Sequence, residues 1–163
     1  MKERNKLTLT TPNDRDVVMI RVFDAPRALV FEAMSKPEYV RRWLLGPPGW
    51  EMAKCDIDHR VGGKFRYEWR HADGRSMGMG GTYQEIVAPE RTVHLETMDG
   101  YPTESVVTGV LTEQGGKTTL TTTARFASKE VRDAVIKTGM EHGVVASYDR
   151  LDDVLGSMRA QRG

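Results

Sequence analysis

Three things are scarce in this 163-residue sequence: cysteine, long hydrophobic runs, and an excess of charge of one sign. Because Cys55 is the only cysteine, an internal disulfide is excluded, as is usual in a reducing compartment. No apolar run approaches the roughly 20 residues needed to span a bilayer, and the charged N-terminal segment precedes no hydrophobic signal core. We therefore expect a cytoplasmic protein without stable membrane association.

The charged residues are balanced in number and mixed along the chain. There are 24 Lys and Arg and 23 Asp and Glu, which gives a formal net charge of +1. A surface that binds nucleic acid needs a basic excess, so nucleic acid is not an expected partner. The hydrophobic content of 39% is enough for one globular domain with its own core. We expect this domain over residues 16–158, preceded by a flexible arm or edge segment, 1–15, and followed by a tail, 159–163.

The first part of the chain predicts one strand and two short helices. The β-branched run 16–23 is typical of a strand. Asp24 and Ser35 are placed as N-caps of helices over about 26–34 and 35–44. The sequence Gly-Pro-Pro-Gly that follows ends the helical pattern.

The middle of the chain is a series of extended segments separated by short turns. Phe65, Tyr67 and Trp69 alternate with charged residues, which is the period of a strand with one apolar face. The connecting turns are typical of those that join antiparallel neighbours. The predicted strands are 50–58, 64–71, 77–87, 91–98, 105–113 and 117–126.

The segment 128–158 predicts a long C-terminal helix with one apolar face. Gly139 and Gly143 lie inside it, so either the helix breaks near Gly139 or the glycines let a backbone or a ligand approach closely. This helix is the only large amphipathic element that can cover the sheet. We therefore expect an α+β fold in which a curved antiparallel sheet of six or seven strands wraps around the helix. Such curvature leaves a concave apolar space suited to a small molecule.

Several short motifs occur in an order that resembles a known superfamily. They are Asp24-Ala25-Pro26, Pro37 with Trp43 and Gly46-Pro47, Asp58-x-Arg60-x-Gly62-Gly63-x-Phe65, Gly81-x-Tyr83-x-Glu85-Ile86, Pro89-Glu90-Arg91 and Gly139-Met140-x-x-Gly143. Together they resemble the START-like, or polyketide-cyclase-like, superfamily with its Bet v-like members, in the branch named after homologues of the activator of the heat-shock chaperone ATPase. The resemblance spans about Val17 to Leu155 and implies a helix-grip fold with a pocket between sheet and helix. The superfamily contains carriers, receptors, enzymes and co-chaperones, so the fold implies no single activity.

The expected pocket lining combines aromatic and methionine side chains of the strands with one face of the terminal helix. Methionine suits a cavity wall that accommodates varied shapes, although ordinary core packing is the alternative for each of these residues. Relatives often have tryptophan where this chain has Val144, and the smaller residue enlarges the expected pocket. The expected lining residues are Trp43, Phe65, Tyr67, Trp69, Met77, Met79, Tyr83, Met140, Val144 and Tyr148.

The candidate catalytic residues are Glu85, His94 and Glu96. His94 and Glu96 share one strand face and would form an acid–base pair if they pointed into the pocket. The preferred interpretation places both on the solvent face, because Val93 and Leu95 are the more natural inward residues.

Glu85 has the same strand parity as Tyr83 and is expected to point inward. Arg91, across the turn at Pro89, is its expected partner. The pair either fixes the turn, which is the preferred interpretation, or anchors the polar group of a ligand.

The sequence contains no motif typical of a metal site, a phosphate-binding loop or a nucleophilic serine. The histidines lack the spacing of a zinc site, and we expect His59 and His71 at the surface and His142 beside the pocket. The glycine-rich stretch 78–81 lies within a strand, where it is expected to form a bulge or bend and not a phosphate cradle. There is no Gly-x-Ser-x-Gly elbow. We expect no metal and no cofactor.

Three functions remain open from the sequence. The preferred one is the binding or carrying of a small hydrophobic, aromatic or amphipathic molecule. The second is a cyclase or hydrolase-like enzyme with a Glu/His acid–base pair in the pocket. The third is a co-chaperone-type protein-interaction module, in which the partner is a chaperone. The sequence is compatible with a monomer or a homodimer.

Overall fold

The computed structural model describes residues 4–101 and 103–162. Over these residues the chain forms one antiparallel sheet and four helices. The strands are β1 (Thr8–Thr10), β2 (Asp16–Phe23), β3 (Trp50–Ile57), β4 (Lys64–His71), β5 (Ser76–Val87), β6 (Arg91–Met98), β7 (Glu104–Gln114) and β8 (Lys117–Arg125). The helices are α1 (Arg27–Ser35), α2 (Pro37–Trp43), α3 (Lys129–Lys137) and α4 (Met140–Arg162). The α+β helix-grip architecture is confirmed.

The sheet has eight strands, in the order β1-β2-β8-β7-β6-β5-β4-β3. The prediction of six or seven strands is corrected by β1, which lies in the N-terminal arm. Thr8 pairs with Ile20 and Thr10 with Val18, so this part of the arm is an edge strand. Residues 1–3 of the predicted arm lie outside the described residues. At the other end of the chain, residues 159–162 of the predicted tail continue α4.

The N-cap residue differs from the predicted one in two of the three helices for which a cap was predicted. Pro26 and Lys36 occupy the N-cap positions of α1 and α2 without a side-chain hydrogen bond. The Ser35 hydroxyl instead donates to the backbone carbonyl of Phe31 at 2.5 Å, which closes the last turn of α1. Ser128 caps α3, because its hydroxyl oxygen accepts from the Val131 N–H at 3.2 Å.

Gly139 divides the predicted C-terminal helix into α3 and α4. Its φ of 82° is a left-handed conformation that favours glycine. Gly143 has the other role foreseen for these glycines, because an added Cβ would lie 3.5 Å from Pro47 Cδ in the loop after α2. The Ser147 hydroxyl oxygen accepts from the Gly46 N–H in the same loop at 2.9 Å. The first half of α4 is therefore held against this loop.

Two hydrophobic clusters form between the sheet and the helices. One joins α1 and the C-terminal half of α4 to β2, β7 and β8, and it includes Phe23, Leu120, Leu151 and Met158, each at most 2% exposed. The other joins α2 to β3, β4 and β5. Its buried members are Val40, Cys55, Phe65, Tyr67, Trp69 and Tyr83. Burial at about 25 cal/mol per Å² of apolar surface makes these clusters the main source of stability.

Arg21 on β2 joins the sheet to α4 through a buried ion pair. Its side chain is 1% exposed, and its Nη2 lies 2.9 Å from Asp149 Oδ1 and 2.6 Å from Asp152 Oδ2. Burial raises the pKa of Asp152, and the guanidinium opposes that rise. The Nε of Arg21 is buried and has no hydrogen-bond partner among the residues that the structure describes. A buried charge is costly unless it is paired. The packing of α4 against the sheet therefore depends on this ion pair.

Candidate functional site

A strip of polar and apolar residues on β6 and β7 lies between the two hydrophobic clusters. We call His94, Glu96, Ser105 and Val107 the concave strip. Directly opposed residues of an antiparallel pair share one face of the sheet. His94 lies opposite Tyr83 of the second cluster on one side and opposite Val107 on the other, and Glu96 lies opposite Ser105. The four residues therefore face the same side as the core.

His94 and Glu96 form a hydrogen-bonded pair within this strip. His94 Nε2 lies 3.0 Å from Glu96 Oε1, and the two side chains are 20% and 29% exposed. The imidazole packs edge-on against Phe65, with ring centroids 5.1 Å apart, and its centroid lies 6.3 Å from that of Tyr83. The pair thus combines partial access to solvent with an aromatic wall.

The preferred sequence interpretation, which placed His94 and Glu96 on the solvent face, is wrong. Val93 and Leu95 lie on the outer face instead, opposite Thr108 and Val106. That outer face also carries β-branched residues, so hydrophobicity alone did not distinguish the two faces.

Glu85 is the one acid–base candidate that lies outside the concave face, so its predicted inward orientation is wrong. The register between β5 and β6 shifts between Tyr83 and Glu85, which brings Glu85 opposite Val93. Its predicted partner is present, since Arg91 Nε donates to Glu85 Oε1 at 3.0 Å. Both side chains are more than 40% exposed, at 45% and 42%, so this is a surface ion pair beside the turn.

Of the bulge or bend predicted for the glycine-rich stretch 78–81, the bulge is not found there, because the register shift in β5 lies between Tyr83 and Glu85. The register of this stretch with β4 is continuous. A Cβ on Gly81 would lie 2.7 Å from Phe65 Cζ and would also clash with the Leu95 carbonyl. Because Gly81 has no side chain, the Phe65 ring can lie over β5 and reach His94.

Tyrosine hydroxyls add neutral polar groups beside the His94–Glu96 pair. The rings of Tyr67 and Tyr83 both pack against Phe65, with centroids 5.1 Å and 5.4 Å from its own. Burial raises the pKa of Tyr67 well above its usual value and that of Tyr83 to about 12. Burial also raises the pKa of Tyr148 on α4. All three phenols are therefore un-ionised at neutral pH and can donate hydrogen bonds.

The other expected lining residues differ in burial, and some lie in the core while others are partly or largely exposed. Trp43 and Trp69 are buried, and each indole N–H donates to a backbone carbonyl, at 3.0 Å and 2.7 Å. Met77 is 42% exposed. Three residues are partly buried: Met79 packs against the second cluster, Val144 packs against the first, and Met140 begins α4.

His59, which was expected at the surface, is half-buried and is a neighbour of the site. Its ring centroid lies 5.1 Å from that of Tyr83 and 5.6 Å from that of Phe31, and burial lowers the pKa of His59. The loop of the Gly62-Gly63 motif explains this position, because the Gly62 N–H donates to the Tyr83 carbonyl and the Tyr83 N–H donates to the Gly63 carbonyl. His71 packs edge-on against Trp50, and His142 is exposed.

Within residues 4–101 and 103–162, no three His, Cys, Asp or Glu side chains are grouped so that they could hold a metal ion. No helix in the described part of the chain is both long and apolar enough to cross a membrane.

A surface groove of about 500 Å³ lies at the ends of β4 and β5 and the β6–β7 turn. Arg66 in this groove is already paired with Asp99 and Glu68, so the groove offers no free guanidinium at that position.

Comparison with known proteins gives the family. The family model described as Activator of Hsp90 ATPase homolog 1-like protein matches residues 24–156. The chain belongs to this family. A crystal structure of a protein from Rhodobacter sphaeroides is 28% identical, with a TM-score of 0.88, over 93% of this chain and 98% of that one. The protein CV1439 from Chromobacterium violaceum is 25% identical, with a TM-score of 0.77, over 88% and 98%.

A more distant member supports the fold alone. The AHSA1-like protein from Aeromonas hydrophila is 19% identical, with a TM-score of 0.71, over 85% of this chain and 92% of that one. The comparison with curated proteins gives no match. The family and its fold are consistent with proteins that bind a ligand in a cavity, and they specify neither the ligand nor a reaction.

Proposed function

We propose that this member of the Activator of Hsp90 ATPase homolog 1-like family binds a small amphipathic molecule over the concave strip. The observation that carries the proposal is that His94, Glu96 and Val107 face the core side of the sheet and yet remain partly exposed. The two hydrophobic clusters on either side are closed by helices. A face that is inward and still accessible is the place where a ligand can be enclosed.

The strip offers both parts of an amphipathic site. Val107, which is partly exposed, supplies apolar surface, and covering such surface contributes about 25 cal/mol per Å². The His94–Glu96 pair and the tyrosine hydroxyls supply the few polar groups that orient a ligand. This mixture favours an apolar body with one polar group over a purely hydrocarbon ligand.

The test uses two valines of the same strand that face opposite sides of the sheet. Val107 lies on the concave strip, and Val110 lies on the outer face opposite Arg91. Binding of anilinonaphthalene sulfonate should be followed by its fluorescence in the wild type, in Val107→Trp and in Val110→Trp. The indole at 107 fills the strip, so it should weaken binding at least about tenfold, whereas the variant at 110 should bind as the wild type does.

Two outcomes would contradict the proposal. One is the absence of saturable probe binding by the folded wild-type protein. The other is equal weakening by both tryptophan variants, which would place the probe elsewhere or indicate a general loss of structure. Amide NMR spectra of both variants should be recorded as the control that the sheet is intact.

A further inference from the structure

The hydrogen bond to Glu96 leaves one nitrogen of His94 free. Nε2 faces the carboxylate, and Nδ1 has no hydrogen-bond partner within the described residues and is not sealed from solvent. A neutral imidazole that donates from Nε2 to a carboxylate has its lone pair on Nδ1. Nδ1 is therefore an accessible proton acceptor beside Phe65 and Tyr83.

The tyrosine pair provides the complementary group. The rings of Tyr67 and Tyr83 pack against the same Phe65 ring that contacts His94. An un-ionised phenol can donate its O–H. Both tyrosines belong to the second hydrophobic cluster, where a hydrogen bond to developing negative charge is stronger than in water.

We propose that these groups catalyse proton transfer at the carbon next to the carbonyl of an apolar ketone. The proposal rests on the binding function above, because the ketone must lie on the concave strip. His94 Nδ1 takes the proton, so a carbon–hydrogen bond breaks and a nitrogen–hydrogen bond forms. The electron pair moves into a carbon–carbon double bond, and the oxygen that becomes negative accepts a hydrogen bond from the O–H of Tyr67 or Tyr83. Return of the proton to carbon restores His94, so no oxidant or co-reactant is needed.

The geometry favours this reaction over acyl transfer. Ser105 is the nearest hydroxyl on the strip by register, opposite Glu96. A serine nucleophile needs a hydrogen bond to the base that activates it. No such bond joins Ser105 and His94 in the described residues, and the imidazole nitrogen on the Glu96 side is already occupied. Glu96 is therefore a positioning residue for His94 and not part of a nucleophilic triad.

The test measures deuterium exchange next to the carbonyl of β-tetralone, an apolar cyclic ketone, by proton NMR in heavy water. The wild type should accelerate exchange at least about 100-fold over buffer, and His94→Gln should lose nearly all of that acceleration. The double variant Tyr67→Phe/Tyr83→Phe should lose about 100-fold. Its fold should survive, since phenylalanine keeps both aromatic rings that pack in the second cluster. His142→Gln, which removes an exposed histidine of α4, should exchange as the wild type does.

Glu96→Gln separates positioning from a merely structural role. It should lower the maximal exchange rate about tenfold and leave the half-saturating β-tetralone concentration unchanged. Acceleration that survives in His94→Gln would overturn the proposal, as would no acceleration with any of β-tetralone, cyclohexanone and acetone. If β-tetralone shifts the amide signals of the strip without exchanging, the binding function stands and the proton-transfer proposal fails.

Discussion

Replacement of Arg21 by methionine should destabilise the protein by about 3 kcal/mol at neutral pH. Methionine retains an apolar stem of similar length but removes the charge that faces Asp149 and Asp152. Loss of one partner of a buried ion pair costs roughly 3–5 kcal/mol. We take the lower end because the two carboxylates are 34% and 19% exposed, so water partly replaces the lost guanidinium.

The pH dependence of this loss follows from Asp152. Burial already raises its pKa, and the removal of Arg21 removes an effect that opposes the rise. A carboxyl whose pKa is higher in the folded state than in the unfolded state destabilises the fold when ionised, and this cost fades as the pH falls through the raised pKa. The difference between the variant and the wild type should therefore be largest near pH 7 and smaller near pH 5.

Thermal unfolding followed by circular dichroism measures both effects. For a chain of this size, about 3 kcal/mol corresponds to a fall in Tm of roughly 6–12 °C. Arg66→Met is the matched control, because Arg66 also contacts two carboxylates but does so at the surface, and its Tm should change little. A fall of less than about 2 °C for Arg21→Met, or an equal loss at both pH values, would refute the role of the buried ion pair.

Three further predictions concern local contacts. Gly81→Ala should cost about 2 kcal/mol or more because its Cβ meets Phe65 and a backbone carbonyl, whereas Gly109→Ala, whose nearest contact is 3.4 Å, should be tolerated; equal urea midpoints would contradict this. Gly143→Ala should leave the free energy of unfolding unchanged or raise it through helix propensity, while Gly139→Ala at φ 82° should lower that free energy by about 1 kcal/mol. The reverse order in urea denaturation would be inconsistent with the observed helix break. The hydrogen bond from Arg162 lowers the pKa of Glu32 to about 2, so this contact stabilises the fold above about pH 4.5 and is lost toward pH 2. The Tm difference between wild type and Arg162→Gln should accordingly be present at pH 6 and shrink at pH 3, and a difference that grows on acidification would show that the contact does not act through this carboxylate.

The sequence located the elements of the site better than the direction of its side chains. The strands carrying the site residues were predicted at 64–71, 77–87 and 91–98, and those bounds agree with β4, β5 and β6 to within one residue. The inward orientation predicted for Glu85 was wrong because a register shift just before this residue reverses the strand parity counted from Tyr83. The solvent-facing orientation preferred for His94 was wrong because its apolar neighbours Val93 and Leu95 lie on the outer face.

By itself, the sequence determined the helix-grip family, the order of the elements and most strand boundaries. The order of the elements and the strand boundaries follow from local periodicity and turn residues, each encoded within a few neighbouring positions. The family follows from the resemblance carried by the ordered motifs between about Val17 and Leu155. Only the tertiary structure decided that β1 joins the sheet, that Gly139 rather than Gly143 breaks the helix, and that His94, Glu96 and the tyrosine pair meet around Phe65. The physical reason is that a side chain's direction depends on register with a distant strand, which no local pattern specifies.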